Sequence, residues 1–171
     1  MQKIDKFTFG VGDRFAHQAA PQLRAFQMLA SQGVSVTPVW NKSNREHLIV
    51  GSDPAGTRAA AENAVNQLSW QSGFLLDADH INLDTVDRYL PHCDFYTIDV
   101  ADDIGTPASP EEIEAFINRH PELIGNITIE GIAAPLEITR DVVEQTARQF
   151  LKACELAGRI YRHIAAEKGG E

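Results

Sequence analysis

Two periods of hydrophobicity alternate along this chain. Short runs rich in Phe, Val and Ile are typical of buried strands, and longer runs with an apolar residue every three or four positions are typical of helices. Four strand–helix pairs follow one another: KFTFGVGDRF with HQAAPQLRAFQMLASQG, VSVTPVWNKS with TRAAAENAVNQLSW, GFLLDADH with LDTVDRYLPH, and FYTIDVADDIG with SPEEIEAFINRH. A fifth apolar segment, NITIEGI, precedes a long helix predicted from Thr139 to Ala166. This alternation predicts parallel strands that are connected by crossover helices.

The faces of the predicted strands favour a barrel. Side chains two positions apart point to the same side of a strand, so Asp77 and Asp79 share one face and Thr97 and Asp99 share another. These faces become polar toward the carboxyl ends of the strands, while the opposite faces are apolar. Glu130 gives the fifth segment a polar residue at the same position. We therefore predict an α/β fold of alternating β/α units that forms part of a (β/α)8 TIM-type barrel. The alternative is a small flavodoxin-like α/β domain.

The length of the chain indicates a portion of a barrel. A complete barrel takes about 250 residues, whereas this chain has 171. We expect residues 1–171 to form a single α/β domain that is the front portion of a larger TIM-barrel enzyme. Such a portion leaves strand edges and apolar faces uncovered, which predicts association, including a homo-oligomer.

Composition and charge exclude several classes of partner. The formal net charge is −9 and there is no run rich in Lys and Arg, which argues against nucleic acid. No apolar run approaches the roughly 18 residues that a membrane span needs, so no membrane role is expected. The two cysteines have no metal-binding spacing and the first residues lack a signal peptide, which predicts a reduced, cytoplasmic setting.

The first two strand ends carry candidate ligand-binding residues. Asp13 and Arg14 follow the first strand and either contact a substrate or close the mouth of the barrel. The glycines beside them fall short of the full GxGxxG pattern, which argues against a dinucleotide. The second strand ends in an amide, two cations and an imidazole: Asn41, Lys42, Arg45 and His47. Either cation could hold a substrate carboxylate, the arginine in a bidentate manner, although a solvated charged loop is the alternative.

The third and fourth strand ends carry candidate metal ligands and bases. Asp79 and His80 end an apolar strand and offer the oxygen and nitrogen donors that divalent metals take. Asp77, one pleat deeper, is either an outer partner of the metal or a general base. Asp99 points inward at the fourth strand end, and His47 is a further catalytic candidate. The alternative is that one of these aspartates caps the next helix.

Four of these segments together resemble a known enzyme family. FTFGVGDRF, PVWNKSNREH, DADHINL and FYTIDVAD look like the barrel strands of the tagaturonate/fructuronate epimerases of bacterial hexuronate catabolism. The resemblance runs across almost the whole chain and keeps the same order. It implies a carbohydrate isomerase that depends on a divalent metal and inverts C4 of a keto-uronate, a small-molecule sugar acid.

The resemblance also suggests roles for individual residues. It implies that Asp79 and His80 lie at the metal and reacting centre. It implies substrate contacts for Asn41, Lys42 and Arg45, and a place at the mouth for Asp13 and Arg14. The family continues well beyond the matched strands and supplies further polar motifs there, so we expect this chain alone to be inactive. A stand-alone α/β module that binds an ion or a small molecule without catalysis is the competing hypothesis.

Overall fold

The computed structural model of the chain describes Ile4 and residues 6–169. Its strands and helices are, in chain order, β1 Thr8–Gly12, α1 Ala19–Ser31, β2 Thr37–Ser43, α2 Asn44–Val50, α3 Pro54–Gln67, β3 Leu75–Ile81, β4 Phe95–Ile98, α4 Pro110–Arg119, β5 Gly125–Ile127, β6 Leu136–Ile138 and α5 Arg140–Lys168. The chain divides into two compact units: residues 1–99 together with 163–171, and residues 100–162.

The first unit is built on a parallel sheet. Its four strands are adjacent in the order β1-β2-β3-β4, and each neighbouring pair is parallel. This confirms the predicted α/β fold of alternating strands and helices. The order also differs from the 2-1-3-4-5 order of the flavodoxin-like alternative.

Strand β2 is the most deeply buried strand of this sheet. Val39 and Trp40 point to opposite faces, yet both are almost fully buried. The indole of Trp40 donates a hydrogen bond to Gln22 of α1 at 3.0 Å and packs edge-on against Phe74 at 5.9 Å between ring centroids. The expectation of one apolar and one polar face is therefore too simple for this strand, because both of its faces are covered along most of its length.

The connections after β2 and β3 differ from the sequence-based prediction. The segment predicted as a charged loop after β2 forms α2, whose start is capped by Ser43 in a reciprocal capping box with Glu46. Conversely, the helix predicted from LDTVDRYLPH is reduced to one 3-10 turn, Val86–Arg88. The capping residues explain why α2 forms in place of a loop, since they satisfy the backbone N–H groups at the start of a short helix.

The second unit contains α4, a two-stranded hairpin and most of α5. The spacing of Ser109 and Glu112 predicts a capping box, and this box is present at the start of α4. The prediction of a fifth parallel strand is wrong, because β5 pairs with β6 in an antiparallel hairpin. Glu130 therefore lies in the turn between these strands and does not point into a barrel.

A separate hydrophobic core stabilises the second unit. Ile113 and Ile117 of α4 belong to one buried cluster with Val143, Ala147 and Leu151 of α5. The spacing of these residues is that of one apolar stripe on each helix. In the part of the chain that the structure describes, no helix has the length and apolar character needed to cross a membrane.

Candidate functional site

The register of the parallel sheet aligns the polar residues of neighbouring strands. Asn41 of β2 is paired with Gly12 of β1 and with Asp77 of β3, and Ser43 is paired with Asp79. The side chain of Asn41 lies over β1, since a Cβ atom built on Gly12 would be 3.1 Å from its Oδ1. The absence of a side chain at this glycine thus makes room for a neighbouring amide at the carboxyl end of the sheet.

A β-bulge near the end of β3 reorients His80. Ala78 is paired with Tyr96 and Ile81 with Ile98, so three steps along β3 match two steps along β4. His80 occupies the left-handed region with φ of 55°, which is uncommon for a residue other than glycine. Regular alternation would turn His80 away from the side occupied by Asp79, whereas its Nε2 lies 3.8 Å from Asp79 Oδ1.

His80 also joins the third strand end to the fourth. Its Nδ1 lies 3.0 Å from Oδ2 of Asp99, the residue that follows β4. We call Asp79, His80 and Asp99 the groove cluster. The sequence-based prediction placed these three residues at adjacent strand ends, and the structure brings them into contact through His80.

The groove cluster borders an open groove of about 410 Å³. The groove is lined by Ser43, Asn44, Arg45, His80, Asn82, Thr85 and Asp99. Burial raises the pKa of Asp79, and the nearby His80 opposes that rise. Small-molecule sites commonly have volumes of about 300–1,000 Å³, so the groove can hold a compact polar ligand against a guanidinium, an imidazole and a carboxylate.

A second polar group lies inside the protein at the end of β2. Lys42 Nζ donates to Ser52 Oγ at 2.7 Å, and His47 Nδ1 lies 2.9 Å from the same oxygen. Lys42 and His47 are each only 1% exposed. We call Lys42, His47 and Ser52 the inner cluster.

Burial dominates the electrostatics of the inner cluster. It lowers the pKa of Lys42, against the opposing effect of the carboxylates Glu46 and Asp13. Burial, reinforced by the positive charges of Lys42 and Arg88, lowers the pKa of His47 to about 4. His47 is therefore neutral near pH 7, and its ring packs against Tyr89 at 5.8 Å between centroids.

Asp77 lies between the strands and not on the surface of the groove. It is 8% exposed, and its carboxylate accepts hydrogen bonds from Thr97 N at 3.0 Å and from Thr97 Oγ1 at 2.7 Å. Burial raises the pKa of Asp77, and the side-chain hydrogen bond from Thr97 opposes this rise. The carboxylate thus connects β3 to β4, and its role as a general base stays a prediction.

Asp13 and Arg14 each contact a different part of the first unit. Asp13 Oδ2 accepts a hydrogen bond from the backbone N–H of Gln18, just before α1, at 2.5 Å. Arg14 Nε forms an ion pair with Glu46 Oε1 at 3.1 Å. Although burial acts to raise the pKa of Glu46, the hydrogen bonds from Arg14 and from the Ser43 backbone outweigh it, and the pKa is lowered.

The sequence does not single out Ser52 or Tyr89, and it singles out Thr97 only as sharing a face with Asp99. Ser52 and Thr97 are the partners of Lys42 and Asp77, and nothing in their local sequence marks them as such. Tyr89 is 1% exposed, and its hydroxyl has no hydrogen-bond partner within residues 6–169 and Ile4. These residues are recognised only once the register of the strands and the path of the connections are known.

The groove offers a carboxylate oxygen and an imidazole nitrogen, which are donors that divalent metals take, and this chain would supply two such ligands. Among the residues that the structure describes, no three His, Cys, Asp or Glu side chains are grouped as a metal site. Asp79 Oδ1 and His80 Nε2 nevertheless face each other, while Asp99 contacts the other ring nitrogen of His80. Metal-binding histidines are commonly held by a carboxylate in this way. Asp79 and His80 as metal ligands stay a prediction.

Comparison with known proteins reveals similarity at the level of the fold. No family model and no curated protein matches the chain. Crystal structures of the fructuronate-tagaturonate epimerase UxaE from Cohnella laeviribosi are similar to it. The one-glycerol complex has a TM-score of 0.78 at 19% identity over 99% of this chain, and the native form has 0.77 at 18% over 99%. The two-glycerol complex has 0.71 at 20% over 94%. The chain spans 34–36% of the length of those structures.

Proposed function

We propose that the chain carries part of the substrate site of an epimerase that interconverts tagaturonate and fructuronate by inversion at C4. The observation that carries this proposal is the similarity of the fold over 99% of the chain to an enzyme described as a fructuronate-tagaturonate epimerase. The groove at the carboxyl end of the parallel sheet supports it, because this is where parallel α/β enzymes bind their substrates. The wider architecture that we propose is a portion of a (β/α)8 barrel.

The side chains of the groove suit a sugar acid. Arg45 lines the groove and would hold the carboxylate of the substrate through its guanidinium. The hydroxyls of a keto-uronate would find hydrogen-bond partners in Asn44, Asn82 and Thr85. Asn41, Lys42, Asp13 and Arg14 lie outside the lining of this groove, and we propose that they act by shaping the strand ends around it.

We propose that Asp79 and His80 hold a divalent ion. Such an ion, when bound, would stabilise negative charge that develops on an oxygen of the substrate. Asp99 would keep the imidazole of His80 oriented through their contact at 3.0 Å. Asp77, whose pKa is raised by burial, is the proposed base, with His47 and Asp99 as further catalytic candidates.

Binding of a divalent ion tests the proposed metal ligands. Calorimetric titration of the chain with Mn²⁺ or Zn²⁺ should detect a site that Asp79→Asn or His80→Ala weakens by about tenfold or more. His120→Ala is the matched control, because His120 forms an exposed contact with Glu122 at 2.9 Å outside the groove. Equal affinities in the wild type and both groove variants would remove Asp79 and His80 from the proposed site.

Binding of the sugar acid tests the proposed substrate. In NMR titrations with tagaturonate, we expect shift changes at Arg45 and His80, and we expect Arg45→Gln to weaken them while Arg24→Gln does not. The spectrum of the sugar acid also reports conversion to fructuronate, which we do not expect from the isolated chain. If tagaturonate leaves the groove signals unchanged, the proposed substrate is wrong.

The competing function is an α/β module that binds an ion or a small molecule without catalysis. It rests on the lining of the groove, where Arg45, His80 and Asp99 can contact an ion or a small polar ligand. Metal binding at Asp79 and His80 without any response to tagaturonate would support this module. A response to both ligands would support the epimerase.

A further inference from the structure

The inner cluster contains a hydrogen-bonded chain whose central residue, Ser52, has no part in the proposed function. Ser52 lies between α2 and α3, immediately before Asp53, which caps α3 through its side chain. Its hydroxyl oxygen is contacted from one side by Lys42 of β2 and from the other by His47 of α2. One small hydroxyl thus connects β2 with α2, the helix that begins where this strand ends.

The chemistry of the three groups indicates the direction of the hydrogen bonds. A lysine ammonium has only donors, so Ser52 Oγ must be the acceptor in its contact with Lys42. The hydroxyl proton of Ser52 is then available for donation, and a neutral imidazole offers an acceptor at one nitrogen. His47 Nδ1 lies 2.9 Å from Ser52 Oγ, at hydrogen-bond distance.

The charges around His47 support a neutral ring whose Nδ1 lone pair faces the serine. Burial and the cations Lys42 and Arg88 disfavour protonation, against the opposing effect of Asp53 and Glu46. Tyr89 covers the ring. An Nδ1 lone pair directed toward Lys42 is also electrostatically better than an N–H directed there.

We propose that Ser52 is a positioning residue that accepts a hydrogen bond from Lys42 and donates one to His47 Nδ1, and thereby sets the tautomer and orientation of His47. His47 then carries its proton on Nε2. This inference goes beyond the proposed function and does not depend on it, because it concerns only the protein's own groups.

Nitrogen NMR of the histidine rings tests the assignment on the intact chain. At pH 7, we expect His47 to show an unprotonated Nδ1 and a protonated Nε2. In Ser52→Ala the neutral ring loses a donor, so the titration midpoint of His47 should rise from about 4 by about one pH unit. Ser52→Thr keeps the hydroxyl and should restore the wild-type midpoint.

A matched serine variant separates this effect from a general loss of stability. Ser31→Ala removes a hydroxyl that donates to the carbonyl of Met28 within α1, far from the inner cluster in sequence, and it should leave the His47 signals unchanged. A protonated Nδ1 in the wild type would overturn the proposal, as would a folded Ser52→Ala variant with unchanged His47 shifts and midpoint. If Ser52→Ala does not fold, the wild-type tautomer and the Ser52→Thr titration decide the question.

Discussion

The groove cluster and the inner cluster use similar side chains in opposite environments. Each contains a histidine whose Nδ1 contacts an oxygen at about 3 Å, which belongs to Asp99 for His80 and to Ser52 for His47. The side chain of His80 is 62% exposed, whereas His47 is 1% exposed. The difference shows that the residue type alone does not determine whether a histidine is open to solvent or enclosed by the protein.

Burial explains why the two clusters differ in the partners of their polar groups. A polar group inside the protein must find its partner within the chain, because an unsatisfied group there is costly. The inner cluster meets this requirement through Ser52. A group at an open groove can also be satisfied by water, and the exposed imidazole of His80 in the groove cluster is such a group.

The largest expected effect follows from removing the buried ring. His47→Ala leaves a cavity under Tyr89 and removes the partner of Ser52, so we expect it to lower the free energy of unfolding by about 3–5 kcal/mol. His80→Ala, at the exposed histidine, should change the same quantity by less than about 1 kcal/mol. Urea denaturation of both variants measures the difference. Comparable losses in both would break the distinction between the clusters.

The second expected effect is a dependence of stability on pH. The pKa of His47 falls from 6.5 to about 4 on folding, so the unfolded chain binds more protons between these values. His47 therefore contributes on the order of 3 kcal/mol to the free energy of unfolding above pH 6.5, and this contribution is lost as the pH falls through 4.

A substitution separates the effect of His47 on the pH dependence of stability from the effect of the buried carboxylates. Asp77 and Asp79 act in the opposite direction, because burial raises their pKa values. We therefore compare the wild type with His47→Gln between pH 7 and pH 4. The wild type should lose more stability than the variant on acidification, and parallel curves would contradict the assigned burial of the neutral ring.

A smaller effect is expected from the backbone of the groove cluster. His80 has φ of 55°, a conformation that glycine adopts without steric cost. His80→Gly should therefore raise the free energy of unfolding by about 1 kcal/mol relative to His80→Ala, since both variants lack the imidazole. Thermal denaturation of the pair measures this directly. If the alanine variant is the more stable one, the bulge at β3 is not the conformation in solution.

The smallest effect is expected at the exposed ion pair between Arg14 and Glu46. Arg14→Gln removes the partner of Glu46, whose own N-capping interaction with Ser43 is retained. Because the arginine is half exposed, we expect a loss of less than about 1 kcal/mol. The pKa of Glu46 should rise, which an NMR titration of its carboxyl group measures. An unchanged pKa would show that the ion pair does not persist in solution.

The strand ends could be predicted from the sequence because their signals are local. Apolar runs followed by Asp79 or Asp99 predicted the ends of β3 and β4 to within about two residues, since β3 continues to Ile81, and the Ser109–Glu112 capping box predicted the start of α4. The fifth strand could not be predicted correctly in the same way. Ile127 and its neighbours fit a strand, but an apolar run does not reveal whether its partner is parallel or antiparallel.

The sequence by itself determined the alternation of strands and helices and the placing of acids, amides and imidazoles at the carboxyl ends of the strands. These features depend on hydrophobic period and capping, which act over a few residues. Only the tertiary structure decided that His80 contacts Asp79 and that Lys42 and His47 meet at Ser52. The first contact requires a bulge set by pairing with β4, and the second requires that separate segments be buried together, so neither is encoded in a local pattern.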